Sequence, residues 1–135
     1  MAYKIIDIEG IGEVYATVLA EAGVRTTDDL LAACATRQGR KTVAGRTGIS
    51  EKLILRWTNH ADLFRIKGVA GQFAELLEAS GVDTIKEFRH RVAANLVAKM
   101  EEVNAAKNLV NRVPSVKEVE KMIAQAKEME PMVQY

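Results

Sequence analysis

The side chains best suited to chemistry are few and poorly grouped. His60 and His90 are the two histidines, thirty positions apart, and Cys34 is the single cysteine. His60 sits between Asn59 and Asp62 near an expected helix end, a place for capping or packing. His90 lies between Arg89 and Arg91, whose charges repel a metal cation. Glu101 and Glu102 are helix neighbours and point apart. The sequence has no nucleophile elbow, no Gly-Lys-Thr phosphate loop and no dinucleotide fingerprint after a strand. The expectation is a protein that is not an enzyme, with no catalytic residue, metal or cofactor.

Charge offers a second kind of chemistry. The formal net charge is +1, with 19 basic and 18 acidic residues. A strong nonspecific binder of DNA carries a clear basic excess, so the total argues mildly against that role. The distribution argues the other way. Residues 36–60 hold Arg37, Arg40, Lys41, Arg46, Lys52 and Arg56 against the single acid Glu51, whereas the stretch before them is acidic. Arg37, Arg40 and Lys41 are three and four apart, the spacing of one helix face. Such a run fits a polyanion contact, a solvated face paired with Asp28 and Asp29, or a surface that meets the acidic face of a second copy.

The elements that must position these residues are helical. Apolar residues make up 48%, charged residues 27% and aromatic residues 5% of the 135 positions, and there are two prolines. That is the balance of a folded protein with an aliphatic, helix-built core. A lone cysteine disfavours a disulfide framework and fits a reducing, cytoplasmic setting. The beginning of the chain carries no leader pattern, and no apolar run reaches membrane-spanning length.

One internal repeat organises the chain. IEGIGEVYATVLAEAGV at 8–24 matches IKGVAGQFAELLEASGV at 66–82 without a gap. Gly10 pairs with Gly68, Ile11 with Val69, Tyr15 with Phe73, Leu19 with Leu77 and Gly23 with Gly81. A looser match follows, in which Ser50 pairs with Ser115, Ile54 with Val119 and Trp57 with Met122. Ser115 and Glu118 have capping-box spacing. The pattern predicts helices near 12–22, 27–35, 38–46, 51–62, 70–80, 84–90, 93–103, 105–111 and 115–129. Tyr3 to Ile8 reads as a short extended arm.

The run Ile8-Glu-Gly-Ile-Gly12, with Ala16, Leu19, Ala22-Gly23-Val24, Thr26 and Asp29-Leu-Leu31, resembles the helix-hairpin-helix motif of DNA repair and recombination proteins, polymerases and topoisomerases. The whole chain also resembles a bacterial family of unknown function with such units in tandem. Thr47-Gly-Ile-Ser50, Trp57, Asn59-His-Ala-Asp-Leu63 and Arg65-Ile-Lys-Gly-Val69 carry that likeness. It implies an all-α fold of two tandem helix-hairpin-helix (SAM-like) units packed together. The boundaries are 1–63 and 64–130, with an irregular tail over 131–135. It also implies amides at a Gly-apolar-Gly turn that approach a phosphate.

The candidate contacts are Gly10, Ile11, Gly12, Arg37, Arg40, Lys41, Arg46, Lys67, Gly68 and Gly71. Departures from the motif leave the function open. Glu9 and Glu13 flank the first turn and repel a phosphate. Ala70 stands where the second hairpin should repeat Gly12, with Gly71 one residue late. Two functions stand side by side: sequence-independent binding of a nucleic-acid backbone, or a protein-interaction or self-association scaffold. Trp57 is either a core anchor or a base-stacking platform.

Overall fold

The computed structural model describes residues 3–69 and 71–135. These residues form eight α-helices and one 3-10 turn, with no strand among them. The chain divides into two compact units. One comprises Met1–Asp62 with Met132–Tyr135, the other Leu63–Pro131.

In the first unit a single antiparallel bridge joins Lys4 to Thr26, and the chain then tightens into a 3-10 turn, Ile5–Asp7. The expected extended arm is thus reduced to one bridge. α1 (Glu13–Glu21) starts from the extended backbone of Gly12. α2 (Thr27–Cys34) starts at Thr26, whose hydroxyl accepts from the Asp29 amide at 3.1 Å while the Asp29 carboxylate accepts from the Thr26 amide at 3.1 Å. The Asp29 carboxylate also accepts from the Arg25 amide. That bond, more than any other, holds its carboxyl below the usual range. α3 (Arg37–Thr47) is capped by Thr36 and ends at Gly48 in the left-handed conformation. α4 (Glu51–Leu63) follows Ser50, which caps the Leu53 amide.

α2 packs on α3. The approach is close enough that Gly39 can carry no side chain, since a Cβ there would lie 2.0 Å from the Ala33 carbonyl oxygen. Leu19, Leu30, Ile54 and Trp57 are buried in this unit. Cys34 is also fully buried. Burial pushes its thiol up to about 11, with the Arg40 charge and a Thr58 hydrogen bond pulling weakly the other way. Such a thiol is a packing group and a poor nucleophile.

In the second unit come α5 (Gly71–Ala79), the short α6 (Ile85–Phe88), α7 (Ala93–Lys107) and α8 (Val116–Glu128). α5 packs on α7, α6 on α8, and α7 on α8. Thr84 caps α6, and Ser115 with Glu118 forms the capping box of α8. The arginine Arg112 grips Glu118 at 3.0 and 3.1 Å. Chiefly through that grip, the Glu118 carboxyl is drawn down to about 2.

The helix expected over 105–111 does not exist. α7 runs unbroken to Lys107, and Asn108 then turns left-handed (φ 50°). The reason lies in Asn104, whose side-chain amide both donates to the Val110 carbonyl and accepts from the Val110 amide, at 3.0 Å each. It ties the following loop down where a helix would need those groups.

Candidate nucleic-acid interface

The two glycine turns have the same local geometry. Gly10 and Gly68 both have φ +92°. The Ile11 amide donates to the Ile8 carbonyl at 3.1 Å, and the Val69 amide to the Ile66 carbonyl at 3.0 Å. After the next helix, the Val24 amide closes on Leu19 at 2.9 Å and the Val82 amide on Leu77 at 2.8 Å. Each turn also faces the last helix of its own unit. A Cβ on Gly10 would lie 3.6 Å from Trp57 Nε1, and one on Gly68 would lie 3.1 Å from Met122 Cε. Trp57 and Met122 are the residues paired by the sequence repeat.

Seven of the ten candidate residues lie in the first unit and three in the second. Ile11 drops out, because its side chain is buried and its amide is spent on Ile8. Arg40 drops out as well. It is 5% exposed, with Nη1 donating to the Cys34 and Ala35 carbonyls at 3.0 Å each and Nη2 to the Gln134 carbonyl at 2.7 Å. The helical spacing of Arg40 from Arg37 is as expected, but the guanidinium turns inward to satisfy carbonyls left open at the end of α2. Arg37 and Lys41 are exposed and line one surface cavity of about 330 Å³ with Gln38 and Glu51. Arg46 lines another, with Val18, Glu21 and Ala22. On an ideal helix it lies about 180° around α3 from Arg37. The basic run therefore does not make one face.

The first turn leaves Gly10 and Gly12 exposed, and no side chain caps α1 there. The neighbouring acid Glu13 is exposed and Glu9 half-buried. Next to them, on α1, Val14 is 77% exposed, and Tyr15 leans its ring against Trp57 with centroids 5.1 Å apart. In the second turn Lys67 and Gly68 are exposed, and Gly71 opens α5 with φ +51°. Ala70, the counterpart of Gly12, lies outside the described residues.

The second turn also recruits residues that sequence reasoning missed. The Lys67 amide donates to Gln125 Oε1 at 3.1 Å. With Met122 under Gly68, this seats the turn on α8. Lys121 and Lys117, both exposed, precede Gln125 by one and two turns along the same stripe. The i, i+4 spacing of Lys117, Lys121 and Gln125 is visible in the sequence. The bond from Lys67 to Gln125 is not, because it joins segments far apart in the chain.

Among the described residues, no three His, Cys, Asp or Glu side chains lie together as a metal site, and no helix is long and apolar enough to cross a membrane. No curated protein and no solved structure matches the chain. One family does, and its match runs over residues 9–129, nearly the whole sequence. By that match, which takes in both glycine turns, the chain belongs to the family described as Domain of unknown function (DUF4332).

Proposed function

We propose that this chain is a non-catalytic binding module of two helix-hairpin-helix units that contacts the phosphate backbone of nucleic acid without reading sequence. The observation that carries the proposal is the seat of the second turn on α8. It brings the backbone beside the exposed Lys67 against Gln125 and Met122 of α8, the helix that also carries the exposed Lys117 and Lys121. Lys67, Lys117 and Lys121 supply three ammonium groups, and ammonium groups contact phosphates as point charges with no base preference. The equal φ of Gly10 and Gly68, and their equivalent partners Trp57 and Met122, support the tandem reading.

The contact differs from an amide cradle. The Lys67 amide is engaged by Gln125, so side-chain charge supplies the attraction. The first turn, with Glu9 and Glu13 beside it, is the weaker candidate. In the first unit the exposed Arg37 and Lys41 of α3 share their surface with Glu51, which dilutes their charge.

The test is fluorescence anisotropy with a random-sequence duplex at low salt. Reversing Lys67 and Lys121 together to Glu should weaken binding by at least about tenfold, and reversing Arg37 and Lys41 by less. Equal binding by the Lys67/Lys121 variant and the parent would overturn the assignment. A second reading, protein interaction, rests on the 77% exposed Val14 beside Tyr15 and Glu13. It predicts no duplex binding at low salt and association with a protein partner that Val14→Asp abolishes.

A further inference from the structure

Residues 132–135 form no helix, yet they are held to the first unit at every step. The Met132 amide donates to Asp62 Oδ2 at 3.2 Å. The Val133 side chain is buried, at 7% exposure. The Gln134 amide donates to the Ala35 carbonyl at 2.7 Å, and its carbonyl accepts from Arg40 Nη2 at 2.7 Å. The Tyr135 hydroxyl donates to Asn59 Oδ1 at 2.5 Å. Met132, Gln134 and Tyr135 keep exposed side chains.

The receiving surface is built from inside the unit. Arg40, Asn59 and Asp62 are all buried polar residues. Arg40 bridges two carbonyls at the end of α2 to one carbonyl of the segment, so a single guanidinium fork serves both sides. Three of these bonds engage the segment's backbone, and two side chains, Val133 and Tyr135, supply selectivity. Main-chain bonds for affinity with alternate side chains for specificity is the way proteins hold extended peptides.

We infer that the surface formed by Ala35, Arg40, Asn59 and Asp62 is a recognition site for an extended peptide with valine and tyrosine two residues apart, and that Met132–Tyr135 is its resident, displaceable ligand. Nothing in these bonds requires the peptide to be covalently attached. Tethering only raises the local concentration. A partner presenting the same pattern competes for the site once the resident segment is weakened.

The experiment uses the full chain carrying Val133→Asp, which puts a charge where the segment is buried. An acetylated, amidated peptide Glu-Pro-Met-Val-Gln-Tyr is titrated into it, and the Asn59 and Arg40 side-chain NMR signals are followed. The variant should keep its helical circular dichroism and show saturable shifts. The parent chain should bind the same peptide at least about tenfold more weakly, since its own segment competes. Replacing the peptide's valine by aspartate should abolish the shifts. A folded variant that shows no saturable binding overturns the inference. So does equal binding by the parent. Loss of helical signal in Val133→Asp overturns it too, because the segment would then be core and not a ligand.

Discussion

Gly68 lies close to Met122: a Cβ at Gly68 would stand 3.1 Å from the Met122 methyl carbon. The contact joins the second turn to α8 and so fixes where Lys67 sits. Its counterpart, Gly10 against Trp57, is looser at 3.6 Å. Both glycines share φ +92°, where any side chain is strained. Gly10→Ala and Gly68→Ala should therefore each lose stability by about 1–3 kcal/mol in urea unfolding. Gly68→Ala should lose somewhat more. Met122→Ala in the same chain should remove that excess, leaving the strain common to both sites.

The two glycines inside α3 should behave oppositely. A methyl at Gly39 would collide with the Ala33 backbone oxygen, whereas one at Gly45 meets nothing within 4 Å. Gly45→Ala should stabilise the protein by about 0.5–1 kcal/mol through helix propensity. Gly39→Ala should destabilise it, because α2 and α3 must move apart. Thermal melts of the two variants check the sign of each change.

Arg40 should matter for folding and not for polyanions. Its guanidinium makes three bonds to main-chain carbonyls. Hydrogen bonds to charged groups contribute about 1.5–3 kcal/mol each, with incomplete additivity. Arg40→Ala should cost on the order of 3 kcal/mol, and Arg40→Lys should recover little because a single ammonium cannot bridge three carbonyls. Arg37→Ala, at an exposed position, should stay within about 0.5 kcal/mol. The contrast is read from denaturant midpoints at constant slope.

The Arg112–Glu118 grip makes the start of α8 sensitive to acid. Glu118 has a folded value of about 2 against an ordinary 4.5. A depressed carboxyl stabilises the fold fully above its unfolded value, and that contribution fades as pH falls from about 4.5 towards 2. Glu118→Gln should flatten the loss of stability over this window and lower the stability at neutral pH. Unfolding curves collected at successive pH values measure both effects.

How far the sequence alone can be read depends on the range of the interactions. Thr26–Asp29 and Ser115–Glu118 caps are three residues apart, and their residue types declare them. The glycine turns are legible for the same reason, with the repeat adding a second instance. The break after Lys107 is not, since it turns on Asn104 reaching Val110 and on a left-handed asparagine. The inward turn of Arg40 is also hidden. Helical spacing places it correctly on α3, but the carbonyl that completes its set belongs to Gln134, far along the chain. Spacing reports which side of a helix a charge occupies and says nothing of what waits there.

The most direct measurement of the proposed role is the salt dependence of duplex binding. If Lys67, Lys117 and Lys121 each neutralise one phosphate, the logarithm of the binding constant should fall with the logarithm of salt at a slope of about −2.7. Reversing Lys67 and Lys121 should bring that slope to about −1 or abolish binding. A salt-independent affinity, or an unchanged slope in the Lys67/Lys121 variant, would contradict the account.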